Sequence, residues 1–160
     1  MERVDVYLGL GTNLGERDLN LLRAVNLLDD AFGTHPERIS RIMETPAWGF
    51  EGPAFLNMCV LYRLPRVGTP EEHGLSLLAQ LKVVEKAMGR EDGSLYDAEG
   101  KRVYGDRIID IDLLCYGAHR IRTETLTVPH PRIGERDFAK KPLLEISKPE
   151  IRNAFPEIFA

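Results

Sequence analysis

Two aspartates with one residue between them carry the first chemical signal in this 160-residue chain. In the run Arg107-Ile108-Ile109-Asp110-Ile111-Asp112-Leu113-Leu114-Cys115, the apolar Ile109, Ile111 and Leu113 alternate with Asp110 and Asp112. A strand has a period of two, so its apolar side chains take one face and both carboxylates the other, with α-carbons roughly 6.5 Å apart. Aspartate is depleted in strands, and two of them inside so apolar a run call for a reason. Magnesium takes hard oxygen ligands, usually one or two carboxylates completed by phosphate oxygens and water. The pattern therefore predicts a cation site that a phosphate-bearing substrate completes. The plainer alternative is the solvated face of a half-buried strand, paired with Arg107.

Other residues can supply what such a substrate needs. Val128-Pro129-His130-Pro131-Arg132 leads to Glu135-Arg136-Asp137-Phe138, and the prolines on either side of His130 hold its backbone extended. His130, Arg132 and Arg136 crowd donors into seven residues, a phosphate grip. Glu91 to Lys101 has no apolar period and reads as a mobile loop, a lid that brings Lys101 and Arg102 over phosphates. Glu85 falls on or beside the apolar stripe Leu77, Leu78, Leu81, Val84 and Met88, where a carboxylate is costly without a partner or a task.

A second group of residues suits a flat ring. On the strand Phe55 to Leu64, Phe55 and Asn57 point away from Leu56, Met58, Val60, Tyr62 and Leu64. Phe55 can stack on a heteroaromatic face while the Asn57 amide reads its edge, or Asn57 can cap a neighbouring loop. Thr45-Pro46-Ala47-Trp48-Gly49-Phe50 makes either a wall that closes on a flat ligand or a surface loop whose aromatics cover the core.

The elements that must position these residues follow in chain order. Val4, Val6, Leu8 and Leu10 alternate as a half-buried strand, and Leu21, Leu22, Val25, Leu28 and Phe32 recur at helical spacing. The glycines between them, Gly9, Gly11 and Gly15, read as tight-turn residues rather than a dinucleotide fingerprint, because strand and helix do not go on alternating as a doubly wound sheet requires. Ile39 to Glu44 is a second strand. Thr69-Pro70-Glu71-Glu72 is a capping box with proline at the first helical position, and Gly89 stops that helix. A short strand spans Arg120 to Leu126, a short helix begins at Pro142, and Phe155, Ile158 and Phe159 pack the tail back.

Composition narrows the function classes. A net charge of -4 and a sequence pI of about 5.6 argue against a broad nucleic-acid surface. The amino terminus lacks the pattern of a secretory signal, and no apolar run is long enough to span a bilayer. Cys59 and Cys115 fall in apolar runs as buried thiols, so a reducing, cytoplasmic setting is expected.

The motifs together resemble the 6-hydroxymethyl-7,8-dihydropterin pyrophosphokinase family. They are Leu10-Gly11-Thr12-Asn13-Leu14-Gly15, Glu44-Thr45-Pro46, Phe55-Leu56-Asn57, Asp106-Arg107-Ile108-Ile109-Asp110-Ile111-Asp112-Leu113-Leu114, Val128-Pro129-His130-Pro131 and Arg136-Asp137-Phe138. The resemblance implies one pyrophosphokinase domain over 1–160, monomeric, with a ferredoxin-like α+β fold: an antiparallel sheet packed against helices, with mobile loops over the active site. It implies a magnesium-dependent ATP:pterin diphosphotransferase of folate biosynthesis. Asp110 and Asp112 would hold two magnesium ions, with Asp110 also beside the pterin. Arg107 and His130 would contact the phosphates, Arg136 would grip the nucleotide, and Glu85 would lie on its side of the cleft. Thr45, Pro46, Trp48, Phe55 and Asn57 would line the pterin pocket, with Phe138 stacking opposite Phe55 and Arg102 or Lys101 acting as the loop cation. The chain departs from the family pattern where Glu91-Asp92 follows Gly89-Arg90, where Tyr104 stands at a tryptophan position, and at Lys140 and Lys141.

Two other readings use the same residues. Nucleotidyl transfer also employs paired aspartates with two metals but attacks the α-phosphorus and releases pyrophosphate. A non-catalytic ligand-binding module would bind without magnesium and consume no ATP.

Overall fold

Alternation along two long strands builds the centre of the fold. In a computed structural model, which describes residues 2–46, 52–90, 95–96, 102–103 and 108–159 (the backbone alone at 95–96 and 102–103), β1 spans Arg3–Thr12. It leads to α1 at Arg17–Phe32, the short strands β2 at Arg38–Ile39 and β3 at Met43–Thr45, then β4 at Phe55–Pro65 and α2 at Pro70–Ala87. The two-residue strands β5 (Leu95–Tyr96) and β6 (Arg102–Val103) pair with each other before β7 at Asp110–Tyr116. A small hairpin of β8 (Ile121–Arg122) and β9 (Thr127–Val128) and the helices α3 (Asp137–Ile146), α4 (Pro149–Ala154) and α5 (Pro156–Phe159) complete the chain.

The main sheet runs β2-β4-β1-β7, with β3 also on the outer edge of β4, and every pairing is antiparallel. Two strand-helix-strand units interleave so that β1 and β4 are central. This is the ferredoxin-like α+β arrangement that the sequence predicts. On one face Val4, Val6, Leu8 and Leu10 join Leu56, Met58, Val60 and Tyr62 under Leu21, Val25 and Leu28 of α1 and Leu77, Leu81 and Val84 of α2. On the other, Tyr7, Cys59, Leu61, Leu114 and Cys115 are covered by Leu143, Ile146, Ile151, Phe155 and Ile158. The tail docks through Tyr7, whose hydroxyl accepts the Lys148 N–H at 3.0 Å, and through Lys148 Nζ, 3.1 Å from Asp5 and 2.8 Å from Glu37. Both cysteines are buried free thiols, and burial pushes the Cys115 thiol up to about 12.

Four local outcomes differ from the sequence reading. Gly9 and Gly11 are strand residues, not turn residues; only Gly15 has the positive φ of a turn, at 68°. The strand read over Ile39 to Glu44 is interrupted, because the Ser40 hydroxyl takes the Cys59 N–H at 2.8 Å in place of a ladder carbonyl. The strand read over Arg120 to Leu126 is instead the β8–β9 hairpin. The helix read from Pro142 starts at Asp137, with Pro142 inside it and buried against the second core. The capping box on α2 is as read: Thr69 Oγ1 accepts the Glu72 N–H at 3.1 Å, and Glu72 accepts the Thr69 N–H at 3.0 Å. Among the described residues, no helix is long and apolar enough to cross a membrane.

A polar pair inside the core gives stability a pH dependence. His73 on α2 is 6% exposed and its Nδ1 lies 2.6 Å from the Tyr116 hydroxyl. Burial, with nearby Arg66, lowers the His73 pKa. Below the unfolded value of about 6.5 the unfolded chain takes up a proton that the folded chain refuses, so stability declines as pH falls toward the folded pKa. The unfolding free energy from denaturant titrations between pH 7.5 and 5.5 is expected to fall, by the order of 1 kcal/mol from this group. His73→Asn should flatten that slope; an unchanged slope would assign it to other groups.

Candidate active site

β7 is an edge strand, and the aspartates lie at its start. Its ladder to β1 begins at Gly11↔Asp110 and continues through Gly9↔Asp112. The Ile111 N–H, between the two acids, donates instead to the Glu85 carboxylate at 2.8 Å. Glu85, 9% exposed on α2, also pairs with Arg90, whose Nη1 reaches Asp110 Oδ1 at 3.1 Å. Glu85 thus has the partner that its place on an apolar stripe demands: it ties the end of α2 to the backbone that carries the aspartates.

Carboxylates accumulate here faster than cations. Burial first, then Asp110 and Glu85, raises the Asp112 pKa well above the ordinary aspartate range, against the opposing charges of Arg136 and Arg90. Burial also raises the Glu85 carboxyl, with the Ile111 N–H opposing. Two half-buried aspartates on one face offer hard oxygens, a donor set that fits magnesium completed by phosphate and water.

His130 stands beside them. Its N–H donates to the Leu114 carbonyl at 2.9 Å, and its Nδ1 accepts the Arg132 N–H at 3.3 Å. An acceptor at Nδ1 leaves the proton of the neutral ring on Nε2, free to donate. Burial, Arg136 and Arg132 lower the His130 pKa, while Asp110 works the other way. Arg136 in turn lies over the Phe138 ring, 5.5 Å from its centre.

Across the sheet, Asp110, Gly11, Asn57 and Met43 occupy one row on successive strands. Strands lie about 4.8 Å apart, so the backbones of Asp110 and Asn57 are roughly 10 Å apart, the span of a bicyclic ring. Gly11, in the middle of the row, has the Asn57 amide and the Phe55 ring edge close against it: a Cβ there would meet Asn57 Oδ1 at 3.1 Å and Phe55 Cδ1 at 3.7 Å. Asn57 Nδ2 donates to Thr45 Oγ1 at 2.9 Å and to the Met43 carbonyl at 3.3 Å, so Thr45 sets the amide's orientation. Pro46 follows, exposed, on the outer rim.

The sequence-derived candidates Asp110, Asp112, Glu85, His130 and Arg136 therefore gather at one end of β7, and Thr45, Phe55 and Asn57 gather on β3 and β4. Phe138 joins the first group through Arg136. Trp48, Lys101, Tyr104 and Arg107, the side chain of Arg102 and most of the loop read over Glu91 to Lys101 lie outside the described residues. Sequence reasoning missed Arg90 as a partner of Asp110. It also missed Gly11 as the point where Asn57 and Phe55 come close to β1, although glycine inside a strand signals a close approach.

A family model described as 7,8-dihydro-6-hydroxymethylpterin-pyrophosphokinase matches residues 7–148. The chain is 41% identical over 142 residues to the 2-amino-4-hydroxy-6-hydroxymethyldihydropteridine pyrophosphokinase of Aquifex aeolicus, covering 88% of this chain and 79% of that protein. It is also 41% identical over 143 residues to the mitochondrial folate synthesis bifunctional protein of Pisum sativum, covering 89% of this chain and 25% of that longer one. A crystal structure of HPPK-DHPS in complex with substrates shares the fold, with a TM-score of 0.64 at 15% identity over 98% of this chain and 43% of that one.

Crowded carboxylates predict a cost that is measurable without any ligand. A buried aspartate with a raised pKa destabilises the fold once pH exceeds its unfolded value, and the cost is complete above its folded value. In chelator-treated protein at neutral pH, Asp112→Asn should raise the unfolding free energy by the order of 1 kcal/mol. A less stable Asn variant would mean that the surrounding cations outweigh the repulsion.

Proposed function

The chain belongs to the 7,8-dihydro-6-hydroxymethylpterin-pyrophosphokinase family, and from that premise we infer how this site works. The protein transfers pyrophosphate from ATP to the hydroxymethyl group of 6-hydroxymethyl-7,8-dihydropterin in folate biosynthesis, and AMP is released. One observation carries the assignment of residues: Asp110 and Asn57 stand in one row on either side of Gly11, which has no side chain of its own. In this reading the pterin lies over Gly11, with its ring edge at Asn57 and its hydroxymethyl group toward the aspartates.

Thr45 orients Asn57, and Pro46 and Trp48 close the outer wall. Phe55 and Phe138 stack on the two ring faces. Asp110 and Asp112 would hold two magnesium ions, which when bound would draw charge from the transferring group and orient the triphosphate. His130 donates from Nε2 to a phosphate oxygen. Arg136, Arg107 and Arg102 add fixed positive charge around the triphosphate, with Arg107 and Arg102 assigned by family resemblance. Glu85 shapes the nucleotide side by holding Arg90 and the Ile111 amide in place.

The chemical step is in-line attack by the hydroxymethyl oxygen on the β-phosphorus. The bond to the α-phosphate oxygen breaks, and that oxygen leaves on AMP. Such displacement depends on positioning and electrostatics more than on covalent help from the protein. We take residues 1–160 as a single monomeric domain. The two buried thiols agree with a reducing, cytoplasmic setting.

With ATP labelled at the β- and γ-phosphates, both labels should appear together on the pterin while AMP accumulates. Asp110→Asn should lower AMP release about a thousandfold in saturating magnesium while the fold persists. Near-normal release from that variant would remove Asp110 from the metal site, and free pyrophosphate as the product would move the attack to the α-phosphorus.

A further inference from the structure

The backbone ladder that positions the aspartates ends at the first of them. Gly11↔Asp110 is the last pair between β1 and β7, and the next residue of β1, Thr12, has a ladder partner only on β4. Its side chain extends the attachment: Thr12 Oγ1 donates to the Ile108 carbonyl at 2.6 Å. Thr12 is fully buried, and its Oγ1 accepts from Asn20 Nδ2 at 3.1 Å. The same Asn20 nitrogen gives its second hydrogen to the Leu14 carbonyl at 2.7 Å. Each donor in the relay therefore has an acceptor, and its far end is fixed on α1.

We propose that Thr12, oriented by Asn20, is a positioning residue for the metal-holding aspartates, fixing the backbone that enters Asp110 where main-chain pairing stops. The inference rests on the assignment of Asp110 and Asp112 as metal ligands made above. Its physical basis is the edge position of β7, which has β1 on one side and, among the described residues, no further strand of the main sheet on the other. There, isolated hydrogen bonds run from the Ile111 N–H to Glu85 and from the His130 N–H to the Leu114 carbonyl. An edge strand whose first residue is held by one ladder pair frays, and fraying at Asp110 moves a carboxylate that must be placed within about 0.5 Å. Threonine suits the task because β-branching stiffens χ1 and so fixes the aim of the hydroxyl. Thr12 on β1 and Asn20 on α1 meet on the helix-covered side of the sheet, opposite the row of Asp110, Gly11 and Asn57. Their effect passes through Ile108 alone.

The test compares wild type, Thr12→Val, Thr12→Ser and Asn20→Ala by calorimetric binding of α,β-methylene-ATP at increasing magnesium, followed by steady-state turnover with ATP and pterin. Valine keeps the shape and removes only the hydroxyl. Thr12→Val is expected to raise the magnesium concentration for half-maximal binding about 10- to 100-fold, as loss of support behind a metal ligand does. It should lower kcat about tenfold and leave the pterin KM within about twofold. Serine keeps the bond and should restore both quantities to within about threefold of wild type. Asn20→Ala leaves the hydroxyl without its guide and should raise the midpoint by about threefold or more, which decides the matter if the valine variant does not fold.

A folded Thr12→Val with the wild-type magnesium midpoint would overturn the proposal. So would a serine variant as impaired as the valine one, or an unchanged midpoint in Asn20→Ala. Wild-type protein that binds the nucleotide identically with and without magnesium would overturn the aspartate assignment, and this inference with it.

Discussion

Mutual repulsion among Asp110, Asp112 and Glu85 is the constraint around which this end of the molecule is arranged. Three acids brought together as burial raises two of their pKa values push the strand that carries them apart from its surroundings. The backbone must be held by groups that do not depend on the acids themselves. The ladder to β1 and the Thr12 hydroxyl at Ile108 do this, and Glu85 turns part of the problem into a solution by accepting the Ile111 N–H. Arg90 supplies the fixed counter-charge that lets Glu85 remain there. The stability that this arrangement consumes comes from elsewhere, chiefly from the apolar side chains packed under α1 and α2.

The two faces of the sheet divide the labour. One is wholly covered by two long amphipathic helices, so it fixes the strands in register. The other is covered by the three C-terminal helices over Tyr7, Cys59 and Leu61, but the row through Asp110, Gly11 and Asn57 carries the polar and aromatic groups of the site. A register shift between Tyr7 and Leu8 marks the border. Opposite it, Leu114 is the extra residue of β7, and both Leu114 and Cys115 point into the second core while Leu113 and Tyr116 point into the first. Leu114 comes so close to the centre of the sheet that a Cβ on Gly9 would meet its Cδ1 at 3.2 Å. Gly9 is thus covered by Leu114, and Gly11 by the Asn57 amide and the Phe55 ring edge, so each glycine admits the close approach of a neighbour.

Much of this was legible from residue types alone, for a physical reason. Period-two alternation on β1, β4 and β7 records which face is buried, and burial is the strongest local constraint on sequence. The same alternation put Asp110 with Asp112 and Phe55 with Asn57. The Thr69 capping box named the start of α2 because only a few side chains satisfy the free amides of a first turn. Tertiary approach left weaker traces. Gly9 and Gly11 read as turn residues because a missing side chain looks the same whether the backbone bends or something lies against it. Pro142 read as a helix start because its missing donor is visible in sequence, whereas the packing of Leu143 and Ile146 that sustains a helix through it is not. Thr12 and Arg90 stand in stretches that resemble the family, yet neither they nor Asn20 showed a role in sequence, since each acts on a partner distant in sequence or beyond its own element.

The kinds of positive group around the acids also follow from electrostatics. A triphosphate and its cations need donors, yet any mobile cation placed beside Asp110 competes with the metal for that carboxylate. Arginine charge cannot be switched off; Arg136 lies over the Phe138 ring, and Arg90 is shared between Glu85 and Asp110, so its charge is divided between two acids. His130 is the group nearest to being able to switch. Burial together with Arg136 and Arg132 keeps it neutral at physiological pH, while the Arg132 N–H at Nδ1 commits its one proton to Nε2. It therefore presents a hydrogen bond without a charge. A protonated ring would be drawn to Asp110, the one acid that favours it, and would occupy the oxygens a cation needs. The arginines that appear in sequence only as a phosphate grip thus have a second effect, holding their histidine neighbour in the neutral form that, in the proposed function, leaves the aspartates to the cations.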